Sequence, residues 1–309
     1  MILTVTANPA IDKAYFVDSF TMGQVHRPLR VSATAGGKGL NVARVAHILG
    51  TPTTAMGFIG GGAGEFIRRE TEKQGITPAF TPIRGGETRT CINIADRNGL
   101  SGELLEPGPP VTEDEKQAFL EQFREQLKTS RMVCVSGSLP KGLTPDFYCR
   151  LVELAKAKNK KIIVDTSGPA LQAVLEAGPY MIKPNAQELM QLLGLKNMTL
   201  RDIRRGLETL RQRGIAVPLV TMGGDGAYAL VDGEMYHFTG PQVTVRSAVG
   251  SGDSTVAGIA VGLCSGMTVT DAIRLGLAAG ISNTQFDETG LVDPEMVSRL
   301  FTQVQPQRC

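Results

Sequence analysis

The stretch SAVGSGDSTVAG at residues 247–258 places an acid directly after a glycine-rich turn. The backbone N–H groups of Gly250, Ser251 and Gly252 can converge there on one point, and a helix beginning at this turn adds its dipole to an anion site. Asp253 lies at the rim, where its carboxylate could accept a proton from a hydroxyl that attacks a bound phosphorus. The alternative is that Asp253 is only an N-cap, a role that Asp fills well. From this stretch alone both interpretations stay open.

A second glycine-rich turn occurs in TAGGKGLNVARVAHILG at residues 34–50. Its three glycines precede an amphipathic helical pattern, and Lys38 and Asn41 lie where a polar ligand could reach them. The segment is not G-x-G-x-x-G, and the Walker pattern occurs nowhere in the sequence, so a Rossmann dinucleotide site and a P-loop are both poorly supported. An ordinary strand-to-helix turn is the alternative. Three glycines together with Lys and Asn at one turn favour a ligand site instead.

The elements that must position these turns are strands and helices in alternation. One helical pattern, at residues 113–128, carries Phe119, Phe123 and Leu127 on a single face. Runs that are apolar on both sides and alternate with helices predict a mostly parallel sheet covered on both faces. The strand-like runs are ILTVTA at the start, MVCVSG (132–137), KIIVDTSG (161–168), YMIKPN (180–185) and PLVTMGG (218–224).

Polar and glycine residues stand at the ends of these predicted strands. In open parallel sheets, ligands bind beyond the carboxyl ends of the strands. The sequence therefore predicts one shared cleft. The residues expected around it are Ser136 to Ser138, Asp165, Asn185, Gly223 and Gly250.

Two stretches, at about 12–34 and about 87–106, depart from the alternation and are typical of strands and hairpins. The second contains DRNGLSGE, in which Asn98 and Gly99 form a turn signal. We interpret both stretches as a small accessory sheet that projects from the main body. Because no linker long enough to separate two units occurs, the sequence predicts one domain over residues 1–309.

Composition excludes several classes of protein. The 32 basic and 30 acidic residues give a net charge of +2, which argues against a nucleic-acid partner and requires local cations for any anionic ligand. Five scattered cysteines, three histidines and the lack of a CxxC pattern argue against a disulfide framework and a zinc site. No apolar run approaches the ~18–20 residues of a membrane span, and no signal-peptide pattern opens the chain. We therefore expect a cytoplasmic protein without a membrane partner.

With both glycine turns in view, the chain resembles the ribokinase-like carbohydrate kinases, in particular the phosphofructokinase B group, which includes 1-phosphofructokinases and tagatose-6-phosphate kinases. The resemblance covers nearly the whole chain. It implies a three-layer α/β/α sandwich with a mostly parallel central sheet and a small β-sheet lid, and phosphoryl transfer that uses ATP and Mg²⁺. It rests on six motifs in order: NPAID (8–12), AGGKGLNVAR (35–44), SGSLPKG (136–142), KPNAQEL (183–189), TMGGDGA (221–227) and VGSGDSTVAG (249–258).

The resemblance implies catalytic and substrate-binding roles for individual residues. In that family the Gly-Ser/Ala-Gly-Asp turn supplies an anion hole and the catalytic base, which favours the base interpretation of Asp253. Gly250, Ser251 and Gly252 would stabilise the transferring phosphoryl group. The residues expected around the sugar are Asp12, Gly37, Lys38, Asn41 and Ser138, together with Arg89 and Arg27 for a phosphate at the end away from the reacting hydroxyl.

The resemblance also implies a nucleotide side of the cleft. Asn185 and Glu188 would organise Mg²⁺ and phosphates, and Asp165 would support the metal through water. For Glu188 the alternative is a first-turn helix acid that favours the helix dipole. The residues expected to contact the nucleotide are Lys183, Asn185, Glu188, Thr221, Gly223, Gly226 and Asn283.

The acceptor that this resemblance favours is a ketohexose monophosphate, phosphorylated on its free primary hydroxyl to give a 1,6-bisphosphate. LLEPGP (104–109) and Ser251 bring the chain nearer to tagatose-6-phosphate kinases; many 1-phosphofructokinases have Ala at the latter position. A 1-phosphofructokinase is the first alternative, followed by a 6-phosphofructokinase or a neutral-sugar kinase. A non-catalytic sugar-phosphate sensor is a further hypothesis. The lid is expected to close on the sugar and to form a homodimer contact.

Overall fold

A computed structural model describes residues 1–97 and 99–309 of the chain. The helices are α1 Lys38–Ile48, α2 Gly61–Lys73, α3 Glu113–Thr129, α4 Asp146–Ala157, α5 Gly168–Ala177, α6 Ala186–Leu193, α7 Leu200–Gln212, α8 Ser251–Cys264, α9 Val269–Asn283 and α10 Pro294–Gln303. The strands are β1 Ile2–Thr6, β2 Ala10–Phe16, β3 Arg30–Gly36, β4 Thr53–Ile59, β5 Thr77–Pro78, β6 Thr81–Pro82, β7 Arg89–Asp96, β8 Gly99–Leu105, β9 Met132–Ser136, β10 Lys161–Asp165, β11 Met181–Ile182, β12 Val217–Thr221, β13 Ala227–Val231, β14 Glu234–Thr239 and β15 Gln305–Arg308.

The main sheet has the order β15-β14-β13-β12-β11-β10-β9-β1-β4-β5, with β6 also paired to β4. Strands from β12 through β1 to β5 and β6 pair in parallel, as the apolar runs predict. At the other end β12, β13, β14 and β15 pair antiparallel, which the sequence pattern did not predict. The mostly parallel central sheet is therefore confirmed, with an antiparallel edge added to it.

Helices cover both faces of this sheet. Successive strand residues point to opposite sides, and since those on both sides are apolar, each face must be covered. In β1, Leu3 and Val5 belong to one buried cluster and Ile2 to the other. The first cluster contains residues of α3 to α7, and the second contains residues of α1, α8, α9 and α10. The result is the expected three-layer sandwich.

The helix predicted at residues 113–128 illustrates why these segments fold locally. Thr112 and Glu115 form a capping box, in which the Thr112 hydroxyl accepts from the Glu115 N–H and the Glu115 carboxylate accepts from the Thr112 N–H. The predicted apolar face, Phe119, Phe123 and Leu127, is buried against the sheet. A start signal and an apolar face together fix this helix.

A second, four-stranded sheet has the order β3-β2-β7-β8 and is called the lid sheet below. Its strands come from the two stretches predicted to form an accessory sheet. Strand β2 pairs antiparallel with β3 and parallel with β7. The predicted turn includes Asn98, which lies outside the described residues. In the described part of the chain, no helix is long and apolar enough to cross a membrane.

Candidate functional site

A cavity of about 760 Å³ lies between the carboxyl ends of the parallel strands and one face of the lid sheet. It brings together nearly all of the residues that the sequence singles out. The exceptions are Ser136, which is completely buried, and Arg27 and Asn283, which are described below. The predicted residues that line it are Asp12, Gly37, Lys38, Asn41, Arg89, Ser138, Asp165, Lys183, Asn185, Glu188, Thr221, Gly223, Gly226, Gly250, Ser251, Gly252 and Asp253.

The N-terminus of α8 forms the floor of this cavity. Gly250 precedes the helix with φ of 82°, a conformation that glycine adopts without strain. The Ser251 N–H donates to the carbonyl of Ala248 at 3.3 Å. The first-turn amides of Gly252 and Asp253 have no partner within the helix, since such amides have no carbonyl one turn earlier. An anion at this point would therefore be held by the amides of residues 252 and 253 rather than by that of Ser251.

Asp253 is not an N-cap. It stands in the first turn of α8, and the cap residue, Gly250, has no side chain to bond a backbone amide. The Asp253 carboxylate instead accepts a hydrogen bond from Nδ2 of Asn41, with 2.8 Å between nitrogen and oxygen. The capping alternative is therefore wrong, and the carboxylate is directed into the cavity that a ligand would occupy.

The surroundings of Asp253 favour its neutral form more than water does. Its side chain is almost fully buried, with 6% of the residue exposed. Burial, and secondarily the nearby Asp165 carboxylate, raise the pKa of Asp253 to about 6, against the opposing effects of Lys38, the Asn41 hydrogen bond and Lys183. A carboxylate with such a pKa is ionised at neutral pH and is a stronger base than an exposed one.

Two ammonium groups lie beside the same helix terminus. The Nζ atoms of Lys38 and Lys183 are 3.8 Å and 3.5 Å from the two oxygens of Asp165, which is 3% exposed. A Cβ on Gly252 would lie 3.3 Å from Nζ of Lys183, which places that ammonium beside the first turn of α8. The Asp165 charge raises the pKa of Lys38. Asp165 therefore holds two cations at the point where the helix amides are free.

Asn185 and Glu188 begin helix α6. The Asn185 side chain accepts from the Glu188 N–H at 2.9 Å, and the Glu188 carboxylate accepts from the Asn185 N–H at 2.9 Å. The helix-acid alternative for Glu188 is thus observed, and the residue lines the cavity at the same time. Within the described residues, no group of three or more His, Cys, Asp or Glu side chains is arranged to hold a metal ion.

The side of the cavity at which the sequence predicts nucleotide contacts is bounded by backbone-rich segments. The sequence analysis predicted Thr221 and the glycines at 223 and 226 in this part of the cavity. It did not predict the rest of the wall, which consists mostly of small and apolar residues. Apart from Gly224 and Val249, which stand inside two of the six motifs, these residues carry no charge or motif that would have identified them. They are Gly224, Gly240, Pro241, Gln242, Val243, Val245, Ala248, Val249, Leu277, Gly280, Ile281 and Thr284.

Asn283 does not line the cavity, contrary to the sequence prediction. It is completely buried, and its Oδ1 accepts from the Ser254 hydroxyl at 3.0 Å and from the Gly290 N–H at 2.9 Å. Its Nδ2 donates to the carbonyl of Val249. The α9 residues that line the cavity, Leu277, Gly280 and Ile281, form one stripe of the helix, and Asn283 lies beside that stripe and faces the core. The amide therefore ties α9 to the segment before α8.

The lid face of the cavity follows the alternation of its strands. Asp12 of β2 pairs in register with Cys91 of β7, which pairs with Leu105 of β8. All three line the cavity, as do Asn93 and Glu103. Sequence analysis identified only Asp12 of these five, although period-two alternation from Arg89 would have indicated Cys91 and Asn93.

Asp12 is held close to the second glycine turn. Burial raises the pKa of its carboxyl to about 6, while a hydrogen bond from the Gly37 backbone and the charges of Arg44 and Arg89 oppose that change. A Cβ at Gly36, which pairs with Ala10 across the strands, would coincide with the Asp12 carboxyl group. Gly36 is therefore required because the acid occupies the space of a side chain.

Arg89 stands at the lid end of the cavity without a carboxylate partner among the described residues. Its two terminal nitrogens donate to the carbonyls of Glu106 and Asn8, both at 2.9 Å, and its Nε is buried without a hydrogen bond. These neutral acceptors orient the guanidinium but leave its charge available to an anion.

Arg27 was expected to point into the cleft, and the structure does not place it there. It belongs to the exposed segment between β2 and β3, and it is absent from the cavity lining. The chain from residue 17 to residue 29 forms no strand, so the strand alternation that directs Arg89 does not extend to Arg27.

Comparison with known proteins gives consistent matches along the whole chain. Residues 5–294 match the pfkB family carbohydrate kinase model. A "putative phosphofructokinase" of Staphylococcus aureus is 31% identical with a TM-score of 0.86, and the match covers 100% of this chain and 99% of that one. Escherichia coli phosphofructokinase-2, solved with potassium, is 27% identical with a TM-score of 0.91 over 97% and 98%. A "possible 1-phosphofructokinase" of Thermotoga maritima is 27% identical with a TM-score of 0.90 over 100% and 99%.

Proposed function

The chain belongs to the pfkB family of carbohydrate kinases, and from that premise we propose that it phosphorylates a ketohexose monophosphate on its free primary hydroxyl. The family assignment makes it an ATP-dependent sugar kinase. The observation that carries the proposal is the placement of the Asp253 carboxylate beside the free amides of α8, in the cavity that Arg89 bounds at its lid end. The product would be the ketohexose 1,6-bisphosphate.

The reaction would begin with the sugar hydroxyl held against Asp253. As its oxygen attacks the terminal phosphorus of ATP, the O–H proton passes to the Asp253 carboxylate, a new P–O bond forms, and the bond to the leaving ADP oxygen breaks. The amides of Gly252 and Asp253 and the ammonium groups of Lys38 and Lys183 would neutralise the charge on the phosphoryl oxygens. These donors are in place before substrate binds, so little reorganisation is needed.

Arg89 supports a phosphorylated acceptor over a neutral sugar. A guanidinium held by two carbonyls, which forms no ion pair among the described residues, suits bidentate contact with a phosphate. Asp12 lies between this residue and the glycine turn and would bind sugar hydroxyls. A sugar phosphate with its phosphate at the lid end presents its other end to Asp253.

The residues present fit Mg²⁺ that arrives with the nucleotide. Mg²⁺ keeps several waters and is usually held by one or two carboxylates plus substrate phosphates. Glu188 and Asp165 line the same cavity, but Asp165 is paired with two lysines and Glu188 caps α6. Because the Asp165 carboxylate is already paired with two ammonium groups, it would act on the ion through water. Asn185 and Glu188 would hold the ion together with phosphate oxygens. When bound, the ion would neutralise charge on those oxygens.

Among ketohexose phosphates we propose tagatose 6-phosphate as the acceptor, on the basis of LLEPGP and Ser251. Fructose 1-phosphate is the second candidate, because the Thermotoga maritima relative carries the name of a possible 1-phosphofructokinase. Both substrates have a free primary hydroxyl at one end and a phosphate at the other. The cavity can therefore accept either by the same contacts, and the choice is one for measurement.

An ADP-release assay with Mg²⁺ tests this function directly. The kcat/KM values are compared for tagatose 6-phosphate, fructose 1-phosphate, fructose 6-phosphate, ribose and adenosine. We expect a ketohexose phosphate to exceed ribose and adenosine by at least about tenfold, since a charge-assisted phosphate contact contributes roughly 1.5–3 kcal/mol. Preference for a neutral sugar would contradict the acceptor class. Absence of ADP with every compound would favour a sensor.

The lid sheet supports a homodimer contact. Residues in and around it expose large apolar side chains to solvent, a pattern that marks interaction surfaces. They are Met22, Val25, Leu29, Val31 and Leu104. We propose that a second copy of the chain covers this surface and that the lid closes over bound sugar, which would exclude water from the phosphoryl group.

A further inference from the structure

Arg44 of helix α1 is a half-buried arginine whose every nitrogen is bonded, although the proposed reaction assigns it no role. Its Nη1 donates to the Asn41 Oδ1 at 3.2 Å and to the carbonyl of Thr289 at 2.8 Å. Its Nη2 donates to the carbonyl of Ala35 at 2.5 Å, and its Nε donates to the Gln74 side chain at 3.2 Å. One guanidinium thus joins α1, the end of β3, the segment before α10 and the end of α2.

The contact with Asn41 matters because a side-chain amide has a donor end and an acceptor end. Arg44 can only donate, so it requires the oxygen of the Asn41 amide on its own side. The nitrogen then faces the other way and donates to Oδ2 of Asp253 at 2.8 Å. With the amide reversed, two oxygens would face each other across that distance, and the Asp253 carboxylate would lose its partner and its position.

The surroundings leave the Asn41 side chain few alternatives. Asn41 is 4% exposed, and Gly290 packs so closely that a Cβ there would lie 2.9 Å from Nη1 of Arg44 and 3.2 Å from the Asn41 Cβ. The Thr289 carbonyl fixes Nη1 from the same segment. The direction of the amide is therefore set by the guanidinium and not by solvent.

We propose that Arg44 is a positioning residue, which fixes the direction of the Asn41 amide and through it holds the Asp253 carboxylate against the acceptor hydroxyl. The inference rests on the proposed function, because it assigns Arg44 to the same phosphoryl transfer. Arg44 does not line the cavity and touches no substrate. The bonded path from its guanidinium to the Asp253 carboxylate consists of two hydrogen bonds in series.

A double-mutant cycle between Arg44 and Asn41 tests this chain of contacts. The single variants Arg44→Met and Asn41→Ala and the double variant are assayed for kcat with the best sugar phosphate and for the KM of ATP. We expect each single variant to lower kcat by about 10- to 100-fold, since small misplacements of a catalytic group have effects of this size. The double variant should be no slower than Asn41→Ala alone, and the KM of ATP should stay within about twofold.

Arg274→Met is the matched control. Arg274 is also a partly buried arginine bonded to two backbone carbonyls, those of Val304 and Phe301, and it lies outside the cavity lining. Its replacement should leave kcat within about twofold of the wild type, since no bond connects it to the reacting groups. Thermal melting of every variant separates loss of activity from loss of folding.

The outcomes separate this inference from the proposed function. If the wild type releases no ADP with any sugar phosphate, the function itself is contradicted. If the wild type is active and the effects of the two substitutions multiply, Arg44 acts independently of Asn41 and the inference is overturned.

Should Arg44→Met fail to fold, the same cycle is run with Arg44→Lys, which keeps a charged donor and should recover part of kcat. A double variant of Arg44→Lys with Asn41→Ala that is no slower than Asn41→Ala alone would support the proposal, and multiplying losses would overturn it.

Discussion

Asn41 and Asp253 are 212 positions apart in the chain, and the Asn41 amide donates a hydrogen bond of 2.8 Å to the Asp253 carboxylate. The bond connects the two glycine-rich turns, one before α1 and one before α8. Each turn alone has an ordinary structural explanation. Their contact brings the Asp253 carboxylate, the first-turn amides of α8 and the polar side chains of the first turn of α1 together at one cavity.

Replacing Asp253 by Asn should abolish most turnover while sparing binding. The amide has nearly the shape of the carboxylate but cannot accept the hydroxyl proton, so kcat should fall by about 10²–10⁴. Steady-state ADP release and titration calorimetry with the sugar phosphate measure the two effects. Asp146→Asn is the control, because Asp146 is also a first-turn helix acid but is exposed and lies outside the cavity. Comparable turnover in both variants would refute the base assignment.

The pH dependence of kcat/KM should show an acidic limb near pH 6. The pKa of Asp253 is raised to about 6, chiefly by burial, so the fraction of ionised base falls below that pH. Asp12, whose pKa is also about 6, titrates over the same range and steepens the limb. A profile that stays flat from pH 8 to pH 5 with saturating nucleotide would rule out both carboxylates as the groups that must be ionised.

The contribution of Asp253 to stability should change in the opposite direction to activity. A buried carboxyl whose folded pKa is about 6, above the ordinary 3.8, binds protons more readily in the folded state, so its own contribution to the free energy of unfolding increases as pH falls from about 6 towards 4. Asp253→Asn removes the buried charge and should raise Tm at pH 8, with a gain that shrinks towards pH 4. Differential scanning calorimetry at both values checks this. A lower Tm for the variant at pH 8 would show that its charge stabilises the fold.

Replacing Arg89 by Met should weaken binding of the phosphorylated sugar specifically. Loss of one charge-assisted contact, roughly 1.5–3 kcal/mol, corresponds to an increase in KM of about 10- to 100-fold. The KM of ATP should be unchanged, because Arg89 lies on the lid side. Arg97→Ala is the control, since Arg97 is another lid arginine, exposed and paired with Asp18. An unchanged sugar KM in Arg89→Met would favour a neutral-sugar kinase.

Gly36→Ala should disturb the sugar site without disturbing the nucleotide site. The added Cβ would occupy the position of the Asp12 carboxyl, and such overpacking costs about 1–3 kcal/mol. We expect a higher KM for the sugar, an unchanged KM for ATP and a modest fall in Tm. Gly85→Ala is the control, because a Cβ at Gly85 meets no atom within 4 Å. Equal sugar KM values for the two variants would show that Asp12 does not bind the acceptor.

A charge placed on the exposed apolar surface of the lid should dissociate the proposed dimer. Val25 is 92% exposed and Leu29 is 75% exposed, so Asp at either position should leave the fold intact and disfavour a contact with a second copy. Light scattering after size exclusion gives the molar mass of each variant. A wild-type mass equal to that of one 33.0 kDa chain would remove the dimer proposal outright.

Much of the architecture was encoded in local patterns. Apolar runs between helical patterns specified a parallel sheet, and a helix start at Thr112 with an apolar face fixed α3. Strands β13 to β15 were not predicted, because antiparallel edge strands do not alternate with helices along the chain. The lid strands were anticipated, but the segment that carries Arg27 was not distinguished from them. Alternation is a property of paired strands, and residues 17–29 are not paired as a strand.

The sequence alone determined the two glycine-rich turns, because within each motif the glycines stand only a few residues from the polar side chains they accompany. Only the tertiary structure decided that Asp253 bonds Asn41 rather than the start of its helix, that Asp165 holds two lysines, and that Asn283 turns towards the core. Each of these outcomes depends on groups far apart in the chain. Their distances are fixed by the packing of α1, α8 and α9 on the sheet, and such packing has no local signature.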